Sequence, residues 1–371
     1  MTNGAGCQHA ALWQPQRPAD ECMPCLRVLT FNAYAGPPLP SWSAWLQRSS
    51  RVKDQVAEIL RLKPDIVCLQ EVVADRARDL YIAALTEHYE PSFRVAEHST
   101  TRQLLCSSPH LLWAAAGTWL CWQQRVWALV AALASAFGLL VLTRSTAWEF
   151  ATSHMYPAGL LTLTRRSRLR PVGLPLACPY RVQDGDWMNM LQQRGVLWQE
   201  LQLVGDSDSR TLWVGNTHAD ALSKELHASD RVRRVLQPSS ARREQLCELF
   251  ADGERFCRQE GRRGRPRVII AGDLNTGQTD DPWLCDGSSD VRLKGFVNAW
   301  RAVNVDTTCY TFDSEKNEIA GGGHWSACRE TIDYIFVHED AGLQAETAKL
   351  ALTKAPHLSD HFGVLVDFQV N

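Results

Sequence analysis

Residues 267–275 read RVIIAGDLN. Val268, Ile269, Ile270 and Ala271 make a short β-prone run that breaks into Gly272, Asp273, Leu274 and Asn275. Side chains two apart on an extended chain project to the same face. Asp273 and Asn275 therefore present a carboxylate and an amide side by side at a strand end. Oxygen donors of this kind suit a hard cation, a phosphate oxygen, or both.

The same construction recurs along the chain. LRVLTFNAY (26–34), DIVCLQEVV (65–73), GLLTLTR (159–165), GVLWQELQLV (195–204), TLWVGNTHAD (211–220), TIDYIFVHED (331–340) and HFGVLVDFQV (361–370) all read as strands. Polar residues interrupt several of these apolar runs: Asn32, Glu71, His218, Asp333 and the pair Asp360 and His361. Singly, each has a plain structural reading, because Asn is a common turn former and a lone His is usually a hydrogen-bonded structural residue. Together, and with few other polar breaks in the strands, they predict a cluster of functional groups. Val52, Val56, Ile59 and Leu60 fall at helical spacing before Pro64, and a second helix is predicted from Ala241 to Cys257. Strands outnumber helices and several follow one another directly, which predicts a mixed α/β sandwich.

The bulk properties narrow the reading less. A chain of 371 residues is long enough for one large domain or two smaller ones. Its formal charge of −2 gives no global basic field for nucleic acid. Basic residues cluster locally in RRSRLR (165–170), RVRR (231–234) and GRRGRPR (261–267). These read either as solvated loop charges or as contacts to anionic lipid or substrate phosphate. The cysteines are scattered, and Cys22 and Cys25 have no second pair at zinc-ligand spacing, so reduced thiols in an intracellular, cytosol-facing protein are expected. Residues 1–25 read as a disordered tail with no secretory signal, and Thr2 is incompatible with N-myristoylation.

One stretch does not fit a soluble domain. Residues 111–142 carry a single charge, Arg125, and Trp113, Trp119, Trp122, Trp127 and Trp148 lie in or beside them. The uncharged run from Val126 to Leu142 would be about 25 Å long as a helix, against about 30 Å for a bilayer core. If the strands on both sides belong to one sheet, a single crossing would put them on opposite faces of the membrane. Residues 104–148 are therefore expected to be an apolar insertion that contacts a membrane as a hairpin, a re-entrant element or an interfacial amphiphile. The alternative is a long buried helix packed on the domain.

The ordered set Asn32, Gln70-Glu71, His218, Gly272-Asp273-x-Asn275, Ile332-Asp333-Tyr334 and Ser359-Asp360-His361 resembles the motifs of the endonuclease/exonuclease/phosphatase superfamily, the fold of deoxyribonuclease I. The resemblance implies a four-layer α/β sandwich of two packed mixed sheets flanked by helices, covering residues 26–371 apart from the insertion. It further implies a Mg²⁺ site at Glu71, Asn32 and Asp360. Asp333 would orient His361, and His361 would be the general base. Asp273 and Asn275 would position the phosphate, and His218 would stabilise its developing charge.

Three features lean towards the neutral sphingomyelinases of that superfamily. FNAYAGPPLPS (31–41) has the Gly-x-Pro-x-x-Ser form of their first loop. Gly185, Asp186 and Trp187 match a segment before their Lys-Gly strand, where Arg194-Gly195 stands here. The Trp-rich insertion would hold the enzyme on a lipid surface. This reading implies hydrolysis of sphingomyelin to ceramide and phosphocholine, with Trp187 a candidate for the choline cation. A nuclease, a phosphoinositide phosphatase and a catalytically dead membrane adaptor are the competing readings.

Overall fold

The structure is a computed structural model that describes residues 25–35, 42–95, 155–156, 159–183, 193–205, 210–220, 240–259, 265–277, 284, 293–305, 307–321 and 328–371. The tail before Cys25, the insertion at 104–148, the basic run at 231–234 and Trp187 lie outside the described residues.

Two six-stranded sheets carry the fold. The first is built from β1 (Cys25–Asn32), β2 (Ile66–Gln70), β3 (Tyr89–Ser92), β6 (Leu161–Arg165), β15 (Leu343–Ala351) and β16 (Gly363–Val370). Its order is β15-β16-β1-β2-β6-β3, with β1 and β2 parallel. The second contains β7 (Leu169–Pro179), β8 (Gly195–Leu203), β9 (Thr211–His218), β10 (Arg267–Asp273), β11 (Phe296–Asn298) and β14 (Asp333–His338). Its order is β11-β14-β10-β9-β8-β7, with β9 and β10 parallel. Two minor ribbons pair β4 (Arg94–Val95) with β5 (Met155–Tyr156) and β12 (Phe312–Asp313) with β13 (Arg329–Glu330). Helices α1 (Trp42–Leu62), α2 (Asp75–Leu85), α3 (Ser240–Cys257), α4 (Ala299–Val303) and α5 (Glu318–Gly321) complete the described elements.

Side-chain parity assembles these into four layers. Leu29, Phe31, Val67 and Leu69 point to one face of the first sheet and pack with Val52, Val56 and Ile59 of α1 and Tyr81 and Leu85 of α2. The alternate residues Leu26, Val28, Ile66 and Cys68 meet Leu212, Val214, Ile269, Ala271, Ile335 and Val337 of the second sheet. On that sheet's far face, Val268, Ile270 and Phe336 pack against Leu246, Leu249 and Phe250 of α3. Each such buried side chain contributes about 1.5–3 kcal/mol, and the period-2 pattern fixes which residues face which layer. This is the expected sandwich of two packed mixed sheets flanked by helices.

The same parity places the polar strand ends. Asn32 shares the face of Leu26 and Val28, His218 that of Leu212 and Val214, Asp273 that of Ile269 and Ala271, and Asp333 that of Ile335 and Val337. All four therefore open into the seam between the sheets, at one end. Across the second sheet Asp333 pairs with Asp273, Asp273 with His218, and His218 with Gly195, in one row.

The described arginines of two basic runs sit at the opposite end. Arg165 and Arg168 lie 3.7 and 3.5 Å from Asp65, and Arg166 pairs with Glu90 at 2.5 Å. Arg265 pairs with Asp340, and Arg267 is buried with its Nη2 donating to the Asn371 carbonyl. The loop expected over 165–170 ends sooner, because Leu169 begins the edge strand β7, and β15 is a second unforeseen edge strand. The helix foreseen around Val52 begins earlier, at Trp42. Among the described residues no helix is long and apolar enough to cross a membrane.

Candidate active site

Just below the row of polar ends, two buried amides lock the sheets together. Gln70 Nε2 donates to Asn216 Oδ1 at 2.8 Å, and Asn216 Nδ2 donates to the Leu69 and Leu161 carbonyls at 3.1 and 3.2 Å. A buried amide left unpaired costs about 1–3 kcal/mol, so this bridge tolerates little sliding between β2 and β9. It fixes the separation of Glu71, which follows Gln70, from His218, which ends β9. Glu71 itself has φ +56°, a conformation rare for a residue with a side chain. The turn is held by Val72 N–H donating to the Gly159 carbonyl at 2.9 Å. A Cβ on Gly159 would stand 2.8 Å from the Val72 and Val73 backbone, so glycine is required for that approach.

The predicted residues come together. His361 Nδ1 is 2.8 Å from Asp333 Oδ2, and its Nε2 is 3.9 Å from Asp273 Oδ2. His218 Nε2 is 3.4 Å from Asp273 Oδ2 and 3.9 Å from Glu71 Oε1. Asn32 Nδ2 donates to Asp273 Oδ2 at 2.9 Å. Asn275 N–H donates to Asp273 Oδ1 at 2.9 Å, while its Nδ2 donates to the Ala219 carbonyl at 3.0 Å. That leaves the Asn275 amide oxygen outside these bonds.

Asp360 is carried by the loop before β16, and that loop is clamped from three sides. Ser359 Oγ donates to the Asn32 carbonyl at 2.6 Å, Asn317 Nδ2 to the Ser359 carbonyl at 2.9 Å, and Gln55 Nε2 to the Leu358 carbonyl at 2.6 Å. Glu318 accepts from His357 N–H at 2.9 Å and pairs with its Nδ1. The His357 backbone bond is the main reason the Glu318 carboxyl is held down at about 2. A depressed carboxylate stabilises the fold above its free pKa and loses that contribution as pH falls towards 2. Glu318→Gln is therefore expected to lower stability at pH 7, by under about 1 kcal/mol because the side chain is more than half exposed. Urea unfolding at pH 7 and pH 3.5 checks this, and the gap between the two proteins narrows at the lower pH.

Negative charge dominates the centre. Burial and the neighbouring Asp360 raise the Glu71 carboxyl, against the lowering influence of Arg194 and His361. Burial raises Asp360 as well, and burial with Asp333 pushes Asp273 up to about 7. Burial opposes charging of His361, but Asp333, Asp273 and Asp360 outweigh it and raise that imidazole well above its usual value. His218 goes the other way: burial, then Arg194 and His361, drive it well below.

Carboxylates that raise one another in this way fit a divalent counter-charge. Glu71 and Asp360 together give an all-oxygen donor pair. Asn32 Oδ1 already accepts from Tyr34 N–H at 3.0 Å, and one lone pair remains for a cation. A second grouping, Asp273, Asp333 and His361, has donor atoms within 4.8 Å of one another. Its imidazole Nδ1 is already bonded to Asp333, so the pair reads better as an oriented base than as a ligand set.

Two contacts are not evident from the sequence motifs: the amide bridge of Gln70 to Asn216, and the setting of Arg194, the residue in the Lys-Gly place, against His218. The Arg194 Nη1 lies 2.5 Å from His218 Nδ1 and its Nε 3.8 Å from Asp220 Oδ1.

Comparison with known proteins agrees with this geometry. The model of the endonuclease/exonuclease/phosphatase family matches residues 29–361. Curated protein sequences give no match. Among solved structures, sphingomyelinase C from Streptomyces griseocarneus superposes with a TM-score of 0.56 at 16% identity, covering 94% of this chain and 100% of that one. The human Nocturnin catalytic domain gives 0.54 at 18%, covering 94% of each chain. Truncated TDP2 from Caenorhabditis elegans gives 0.55 at 15%, covering 93% of this chain and 98% of that one. At these identities the likeness is one of fold.

Proposed function

The chain belongs to the endonuclease/exonuclease/phosphatase family, and from that premise we propose that it is a Mg²⁺-dependent phosphodiesterase that hydrolyses sphingomyelin to ceramide and phosphocholine. The observation that carries the hydrolase part is the convergence of His361, Asp333, Asp273, His218 and Glu71 in one inter-sheet seam.

The steps follow from which atoms are free. With Nδ1 spent on Asp333, His361 in its neutral form would take the proton of an attacking water at Nε2, and a divalent counter-charge on the carboxylates that raise this imidazole would favour that form. His218 and Asn275 address the phosphoryl oxygens. Asp273, pushed up to about 7, is placed to return a proton to the departing ester oxygen. Water forms the new P–O bond as the ester P–O bond breaks, and no covalent enzyme intermediate is required. Mg²⁺ held by Glu71 and Asp360, with Asn32 beside them, would neutralise the phosphate and polarise the ester.

The lipid side of the proposal rests on the loop at 31–41, on Gly185-Asp186-Trp187 and on the apolar 104–148 insertion, which would hold the enzyme at a membrane with the catalytic domain in the cytosol. Against a nuclease, a protein that tracks a nucleic-acid backbone sets several cations along it. Here the described arginines of 165–170 and 261–267 are at the far end of the sheets, and Arg165, Arg166, Arg168 and Arg265 face acids there. The retained chemistry disfavours a dead adaptor.

A substrate panel tests the reading. With Mg²⁺, the protein is expected to release phosphocholine from sphingomyelin vesicles, and Glu71→Gln to lose about two orders of magnitude of that rate. Cleavage of plasmid DNA or of a phosphoinositide, with sphingomyelin untouched, would reassign the substrate. In the same vesicles, a variant lacking residues 104–148 should no longer float. If it floats like wild type, that segment is not the anchor.

A further inference from the structure

The two histidines of the site are bonded in opposite senses. His361 meets a carboxylate through Nδ1, so that nitrogen carries a proton and Nε2 is the acceptor whenever the ring is neutral. His218 meets Arg194 through Nδ1. A guanidinium can only donate, so His218 Nδ1 must accept and its proton must sit on Nε2. That N–H faces Asp273 and Glu71, where the phosphoryl group would lie.

Arg194 is itself held on a buried chain of contacts. Its main chain is clamped by Gln183, whose Oε1 accepts from Arg194 N–H and whose Nε2 donates to the Arg194 carbonyl, both at 2.8 Å. Its Nε faces Asp220. Asp220 in turn accepts from Gln245 Nε2 of α3 at 2.5 Å and donates its own N–H to Gln245 Oε1 at 3.0 Å. Gln245, Asp220 and His218 are all at most 1% exposed. The chain of contacts thus runs from the outer helix, past the ends of β8 and β9, to the candidate site.

We propose that Arg194 is a positioning residue that fixes His218 as its Nε2–H tautomer, making this imidazole a hydrogen-bond donor to the phosphoryl group and denying it the role of base. The division of labour between the histidines is then written in their partners: an acid behind the base, a guanidinium behind the donor. This concerns the hydrolytic centre and does not depend on which ester it opens.

Selective ¹⁵N-histidine labelling of the metal-free protein, with His218 assigned from His218→Gln, reads the tautomer directly. The wild type is expected to show a single form protonated at Nε2, and a proton on Nδ1 would overturn the proposal without any variant. In Arg194→Met the single form should be lost. A folded Arg194→Met with an unchanged His218 pattern would also overturn it. Turnover of bis(p-nitrophenyl) phosphate with Mg²⁺ supplies the kinetic side. Arg194→Met should lower kcat between about 10-fold and 100-fold with KM little changed, and Arg194→Lys, which keeps a donor, should recover most of the loss. In a His218→Gln background, Arg194→Met should add under about threefold. A full-sized loss there would mean that Arg194 acts independently of His218.

Discussion

The His361→Ala protein is expected to hydrolyse a phosphodiester about 10²- to 10⁴-fold more slowly than wild type while keeping its fold and its KM within a few-fold. The prediction follows from the imidazole's position. Nε2 is the only unspent nitrogen of this ring, in a seam where the nearby carboxylates are crowded and raised, and Asp333 fixes the ring by its bond to Nδ1. Truncation removes the base and leaves Asp333 without that partner, which costs about 1–3 kcal/mol of stability. The ring also meets Phe312 edge-on at 5.4 Å, so a small cavity adds to that cost. Asp333→Asn should be nearly as damaging to turnover. An amide N–H aimed at Nδ1 would force the proton to Nε2, the nitrogen that must be free. The double variant should be little worse than either single one, because residues that act as a unit are not additive. Stopped assays with a chromogenic diester, paired with thermal unfolding of each variant, separate lost chemistry from lost fold. If His361→Ala retains activity within tenfold of wild type, the proton goes elsewhere and the dyad is structural.

Much of this site was legible in the chain because burial makes polar residues conspicuous. Asp273 ends a strand of valine and isoleucine, and Asn32, His218 and Asp333 do the same in theirs; parity alone sends all four to the seam. What stayed hidden shares a physical cause. Gln70 Nε2 bonds Asn216 Oδ1 across 146 residues of sequence, and no local pattern marks a partner that far away. Arg194 reads in the chain only as the cation in the Lys-Gly place, and its bond to His218 shows once Gln183, Asp220 and His218 are seen around it. The clamp of Glu318 on His357 is likewise a contact between segments distant in sequence. The edge strands were missed for the opposite reason. β7 contains Pro171, Pro175 and Gly173, which weaken a strand pattern but are tolerated where one side lacks a neighbour. In β15, Glu346 and Lys349 disguise the alternation.

Gly272 decides whether the row of polar strand ends can exist, and Gly272→Ala is expected to cost more than about 4 kcal/mol, a large share of a typical 5–15 kcal/mol of stability. The residue pairs with Thr217 on one side and Tyr334 on the other, at φ +155°. A Cβ there would stand 2.0 Å from the Thr217 carbonyl oxygen and 2.9 Å from its carbon. No rotamer relieves this, because the obstacle is backbone. The two strands must move apart, and they do so immediately before Asp273 and His218, whose separation of 3.4 Å depends on that pairing. Gly205→Ala provides the comparison. Gly205 also has positive φ, +81°, but a Cβ there meets nothing within 4 Å, so only the conformational cost of about 1 kcal/mol is expected. Urea unfolding of both variants distinguishes steric collision from backbone strain. An alanine at 272 that melts like the one at 205 would mean that β9 and β10 do not approach so closely. The register that sets Asp273 beside His218 would then have to be rebuilt, and with it the placing of His218 and His361 on either side of Asp273.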